Sequence, residues 1–243
     1  MAHDPSIPPS TAPAPEFVPF SKLPGFDPRA VPVAGIDSHL PAVPPQALRP
    51  ELLRQRFLAP PPWEPELRAE PRFTDRQVAQ AAVLVPVVLR DEPMVLLTER
   101  TTHLSTHSGQ IAFPGGRQDE TDSGPADTAL REAQEEVGLD RAHVEVIGLM
   151  PTYTTGTRFV VTPVVGLVDP GHRLALNAHE VADAFEVPLA FLMNPAHHHR
   201  HVVDVLGTQR EFFSMPYMQG TTERFIWGAT AGMLRNLYRF LAA

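Results

Sequence analysis

The chain contains no cysteine, so no disulfide braces it, which fits a reducing cytoplasm. It has no apolar run of about 18 residues, so no membrane span is expected. Its opening residues, Met1 to Pro5, offer neither a basic n-region nor an apolar h-region, so no secretory signal is expected either. Positive charge is short: 20 Lys and Arg stand against 28 Asp and Glu, a net charge of −8. An acidic chain is a poor general binder of nucleic acid, because phosphate attraction needs basic surface. If the substrate carries phosphates, metal ions are the obvious neutralising partner.

Proline is abundant, and 17 of the 28 prolines precede Glu66. Residues 1–65 therefore read as a Pro-rich, extended, partly disordered N-terminal extension without chemistry, broken only by one short helix at Leu48–Leu58. Its deletion is expected to leave catalysis unchanged. A compact domain over 66–243 follows, with recognisable pattern from near Phe73. Gln80–Leu89 reads as a buried strand and Met94–Glu99 as its hairpin partner. Ile111–Phe113, Val144–Met150, Phe159–Val168 and Arg210–Tyr217 read as further strands. Pro125–Val137 reads as a helix, Glu180–Phe185 and Pro188–Leu192 as short helical pieces, and Ile226–Leu241 as a long closing helix. Strands on both sides of one central helix, without regular alternation, predict an α+β fold: a layered α/β/α sandwich with a mixed sheet.

The helix at Pro125–Val137 carries the informative chemistry. Pro125 suits a first helical turn, and Gly138 suits the left-handed position past its end. Ala126, Ala129, Leu130, Ala133 and Val137 form its apolar stripe. Glu132, Glu135 and Glu136 share a neighbouring face, where they repel one another and oppose the helix dipole. A hard divalent cation relieves both conflicts. The competing reading is a solvated acidic face with Arg131 as local partner. Upstream, Pro114-Gly115-Gly116 forms a turn whose bare backbone admits a phosphate or metal.

Gly116, Asp122 and the run Arg131 to Leu139 resemble the Nudix box, G-x5-E-x7-R-E-U-x-E-E-x-G-U with U aliphatic. The second half matches throughout, with Ala133 as a small aliphatic. In the first half Asp122 takes the glutamate position, and eight residues instead of seven separate it from Arg131. That expansion resembles the coenzyme A pyrophosphatase branch of the family. So does the upstream stretch Leu96-Leu97-Thr98-Glu99-Arg100-Thr101, then Gly109, then Phe113-Pro114-Gly115-Gly116. The branch pattern is L-L-T-x-R-[SA]-x3-R-x3-G-x3-F-P-G-G. Thr101 replaces its Ser/Ala and Ser105 its second arginine.

The resemblance implies that Glu132, Glu135 and Glu136 hold Mg2+ or Mn2+, with the Gly116 carbonyl as an extra ligand. It implies that Arg131 makes an internal ion pair with Asp119, Asp122 or Glu132. Glu180 takes the place of a later-loop catalytic glutamate, with a helix cap as the alternative. Arg100, Gly115 and Gly116 stand as substrate contacts, Arg100 alternatively pairing with Glu99 or Glu120. Arg158 is a candidate cation to compensate for Ser105. Asp122, Arg131 and Gly138 are structural within the motif. His103 and His107 read as surface or packing histidines, His197–His201 as a solvated loop, and Phe212, Phe213 and Tyr217 as core. The implied activity is hydrolysis of coenzyme A or acyl-coenzyme A to 4′-phosphopantetheine and 3′,5′-ADP. The alternatives are another nucleoside diphosphate derivative, such as ADP-ribose or a dinucleotide, and a non-catalytic binding module. The expected partner is a small-molecule diphosphate, with no nucleic acid or membrane and with homodimerisation left open.

Overall fold

The computed structural model describes residues 20, 23, 25–68, 78–101, 109–156, 159–205 and 207–243. Its centre is strand β2 (Ala79–Val88), counted second after β1 (Val33–Ile36). Ala82, Leu84 and Val88 face one side of the sheet, and Ala81, Val85 and Val87 the other. Burial on both faces removes any need for polar alternation, so the segment reads as a continuous apolar run. β8 (Phe159–Val168) lies parallel to β2 along its whole length. β6 (Val144–Leu149) and β7 (Tyr153–Thr154) pair antiparallel with β8.

On the other side of β2 the pairing is split. β3 (Met94–Arg100) touches it only beside the turn, with Val87 opposite Val95 and Val88 opposite Met94. Farther along, β5 (Gly115–Arg117) takes over, with Ala82 opposite Gly116. β3 then pairs with β4 (Ile111–Ala112) and β9 (Val181–Pro188). The split opens the sheet where the diglycine turn enters.

Helix α2 (Pro125–Val137), second after α1 (Pro50–Leu58), covers one face of this mixed sheet. Ala129, Ala133 and Val137 pack there with Leu84, Leu96 and Val164. On the opposite face Val85, Leu97, Val165 and Leu167 share a core with Leu234, Leu237 and Leu241 of the closing helix α4 (Gly228–Ala242). The expected layered α+β architecture is present. A second, antiparallel sheet runs in the order β1, β10 (His199–Val205), β11 (Thr208–Gln219), β12 (Thr222–Trp227). Among the described residues no helix is long and apolar enough to cross a membrane.

Four expectations need correction. Glu180–Phe185 is not helical: Val181–Pro188 is strand β9, paired along β3. Val181, Phe185 and Val187 are its buried positions. The closing helix starts at Gly228, because Ile226 and Trp227 finish β12. The histidine run is not a solvated loop: His198 and His201 are buried. His198 Nε2 donates to the Leu192 carbonyl at 2.8 Å, and its Nδ1 accepts from Arg235 at 3.2 Å. Burial pushes its pKa down to about 4, so it is neutral.

The fourth correction concerns the proline-rich segment. Phe73 and residues 1–19 lie outside the described residues, but residues 25–65 do not behave as a loose tail. β1 pairs with β10, and α1 packs beside β6. Val43, Leu48 and Leu53 are buried in the main core, each contributing about 1.5–3 kcal/mol. Asp37 and Glu66 both reach the buried guanidinium of Arg235 at 2.8 Å. Tyr238 donates to the Pro41 carbonyl, and the Asn236 side chain brackets the backbone of Leu67. Proline suppresses local pattern, and this segment is ordered by partners near the other end of the chain.

Candidate active site

Three backbone devices build the site. The first is the diglycine turn. A side chain at Gly115 would collide with the Ala82 carbonyl and with Val83, so only glycine lets β5 lie against β2 here. At Gly116 a Cβ would fall 2.5 Å from the Glu132 carboxyl carbon. The turn therefore lies directly against a box carboxylate.

The second device is the N-terminal half of α2. Arg131 makes a bidentate pair with Asp122, both contacts at 2.9 Å. Asp122 also accepts from the Asp119 amide at 2.8 Å and the Thr128 hydroxyl at 2.9 Å. These contacts hold its carboxyl well below the usual range, led by Arg131. Arg131 reaches onward to Glu132 at 2.9 Å, to Glu135 at 3.1 Å and to the Arg117 carbonyl at 3.1 Å. Of its three candidate partners it takes Asp122 and Glu132. Asp119 serves Asp122 through its amide instead.

The third device is the far end of α2. Gly138 adopts φ +68°, and its amide returns to the Gln134 carbonyl at 3.0 Å. The following loop is stitched to the helix by Ala175 N–H on the Val137 carbonyl and Asn177 N–H on the Glu136 carbonyl. That stitching brings Glu180 to the box. Burial raises the carboxyl pKa values of Glu132 and Glu136, and Glu180 lies near enough to add a smaller push in the same direction.

Glu136 is the most buried of these acids, at 4% exposure. It accepts from the Gly115 amide at 3.0 Å, and Arg100 stands 3.6 Å away. Burial still dominates and pushes its pKa up to about 7. Burial also raises Glu132. Glu135 is more exposed and keeps Arg131 as its partner. Arg100 approaches Glu136 and not the alternative partner Glu99, which pairs with Arg224.

The NUDIX domain family model matches residues 78–206, more than half of the chain. The chain belongs to the Nudix family. The uncharacterized Nudix hydrolase NudL of Escherichia coli O7:K1 is 42% identical over 158 residues, covering 65% of this chain and 80% of that protein. NudL of Escherichia coli K12 matches to the same extent. Among solved structures, a Caenorhabditis elegans Ap4A hydrolase binary complex aligns with TM-score 0.40 at 18% identity, covering 49% of this chain and 86% of that one. A MutT protein from Methanosarcina mazei Go1 aligns with TM-score 0.40 at 19% identity, covering 49% and 83%.

This Nudix hydrolase thus brings Arg100, Gly115, Gly116, Glu132, Glu136 and Glu180 around one end of α2, with Glu135 at the rim. Arg158, Ser105, His103 and His107 lie outside the described residues. The motif reading named Thr101 only as a departure from the branch pattern and missed Asn177. Thr101 fixes the Glu180 loop from the β3 side: its amide donates to the Glu180 carbonyl at 3.0 Å and its hydroxyl to the His179 carbonyl at 3.1 Å. Asn177 fixes it from the helix side. The signal for Asn177 was an asparagine two residues before His179, a spacing at which its side chain caps a turn.

Proposed function

We propose that this Nudix hydrolase cleaves the diphosphate of coenzyme A or an acyl-coenzyme A, giving 4′-phosphopantetheine and 3′,5′-ADP. One observation carries the reading: Arg100, the cation of the upstream signature, stands 3.6 Å from Glu136, the most buried of the three box glutamates. A residue named by the substrate signature and a residue named by the catalytic motif meet in one place.

The donors suit Mg2+ or Mn2+. Glu132, Glu135, Glu136 and the Gly116 carbonyl offer hard oxygen, and the carboxyls of Glu132 and Glu136 are raised by burial, the electrostatic state a divalent cation relieves. Among the described residues no three acidic or histidine side chains have already closed on one point. Arg131 holds Glu132 and Glu135 meanwhile, through contacts at 2.9 and 3.1 Å. A cation held there would neutralise charge on the diphosphate and make the attacking water more acidic. Glu180 accepts the proton of that water as its oxygen bonds to phosphorus and the bridging P–O bond breaks. Arg100 binds a phosphate oxygen, while Arg131 and Asp122 keep the box rigid.

The test is product analysis over coenzyme A, dephospho-coenzyme A, ADP-ribose and a dinucleotide, with Mg2+ and Mn2+ assayed separately. The expected result is the highest kcat/KM on coenzyme A or its thioester, with both named products. Preference for ADP-ribose or a dinucleotide sinks the substrate assignment and leaves the diphosphate chemistry standing.

A further inference from the structure

Asn177 joins two parts of the site that the sequence separates. Its amide donates to the Glu136 carbonyl at 2.9 Å, and its carbonyl accepts from the amides of Glu180 and Val181, each at 2.9 Å. Its side chain repeats the link. Nδ2 donates to Glu180 Oε1 at 3.2 Å, and Oδ1 accepts from the His179 amide at 3.2 Å. The orientation of the side-chain amide follows from its neighbours: an ionised carboxylate only accepts, and a backbone N–H only donates.

The link answers a physical difficulty. Glu180 is partly exposed and sits close to two other carboxylates. Like charges drive its side chain outward, and a long side chain on a loop has many rotamers to occupy. A general base has to be held at hydrogen-bond distance from its proton, and small displacements lower the rate steeply. A donor anchored to the end of the metal helix counters both effects.

We propose that Asn177 is a positioning residue for hydrolysis, fixing the Glu180 carboxylate relative to Glu136 through one oxygen and leaving the other for the reacting water. The proposal rests on the reading of Glu180 as proton acceptor. A neutral amide suits the task better than aspartate, which would keep the acceptor for the His179 amide but place another negative charge against Glu180.

The test is a double-mutant cycle on the full chain. N177A removes both side-chain bonds. N177D keeps the acceptor for His179, loses the donor and adds a negative charge against Glu180, so it guards against a misfolded alanine variant. Both are expected to lower kcat about tenfold, the order of one lost charge-assisted hydrogen bond, with KM within about twofold. In an E180Q background either change is expected to have no further effect on kcat. Mn2+ binding to the substrate-free protein, followed by electron paramagnetic resonance, is expected to stay within about twofold of wild type in N177A. Wild-type kcat in both Asn177 variants, a tenfold loss that persists in E180Q, or Mn2+ affinity falling with kcat would each overturn the proposal. A crippled E180Q beside a normal N177D sinks the positioning role alone. A normal E180Q sinks the role of Glu180 itself, and the proposal with it.

Discussion

The Nudix box and the proline-rich segment before it differ in how their order arises. Around Arg131 the side-chain partners are close in sequence: Asp122 to Arg131, Thr128 to Gly124, Glu132 and Glu135 to Arg131. In residues 37–67 the partners lie far away: Asp37 and Glu66 on Arg235, Pro41 on Tyr238, Val43 on Met193. Local partners leave a spacing in the sequence. Distant partners leave only an isolated charge or a buried leucine that means nothing until the fold is known.

The sharpest way to break that comparison is to delete residues 1–65. If this region were a tail, a soluble and active enzyme would remain. The packing of Val43, Leu48 and Leu53, with Asp37 on Arg235, leads to the opposite expectation: little soluble protein, and no cooperative thermal transition in what is recovered. A truncated enzyme with wild-type kcat and melting temperature would restore the tail reading.

Glu136→Gln tests the box. Loss of a carboxylate at the proposed metal site is expected to lower kcat at least a hundredfold, measured with saturating Mg2+. Stability should move the other way. The folded pKa of Glu136, about 7, lies above its ordinary 4.5. The stabilisation that comes with a raised carboxyl pKa is complete below about 4.5 and is lost as pH rises through about 7. At pH 8 without metal, the glutamine variant is therefore expected to be more stable by roughly 3 kcal/mol, with the gap closing near pH 4. Urea titrations at the two pH values read this directly, and equal stability at both would contradict the buried, ionised carboxylate.

Arg235→Ala probes the other region by one side chain. Arg235 is 2% exposed and neutralises Asp37 and Glu66. Its removal takes away the buried partner of both acids and leaves them only the more exposed Arg200 and Arg239, so a destabilisation of about 3 kcal/mol is expected, read from the urea midpoint. A change below about 1 kcal/mol would mean that the segment is held by its leucines alone. Glu135→Gln is the smallest perturbation. Its pair with Arg131 is largely solvent-screened, with Glu135 57% exposed, so stability should shift by less than about 0.5 kcal/mol. A larger loss would mean that this rim pair stiffens the box.

Particular elements show where the sequence was readable. α2 spans Pro125–Val137 and β8 spans Phe159–Val168, the bounds their patterns predict. Proline and glycine punctuate the helix, and burial on both faces marks the strand. β9 had period two at Val181, Phe185 and Val187, but Asp183 interrupts it. That charge is tolerated because Arg224 arrives from β12 to pair with it. β1 has four residues and no pattern, since what makes it a strand is the edge of β10. The buried histidines looked solvated because their partners, Leu192, Ser214 and Arg235, come from other elements. In the site, the residues of the box were readable. The roles of Asn177 and Thr101 were not, because they act through backbone groups, one hydroxyl and one side-chain amide, which leave no motif.

The grip of the early segment on α4 also bears on how the chain is made. Asp37, Pro41, Glu66 and Leu67 leave the ribosome long before Arg235, Asn236 and Tyr238, their partners in the last helix. The segment around residues 37–67 completes its packing only once α4 has been synthesised. Closing such a loop is a slow, non-local step. Vulnerability to proteolysis and aggregation is thus concentrated during synthesis, before α4 emerges, when apolar surface stands exposed without its lid.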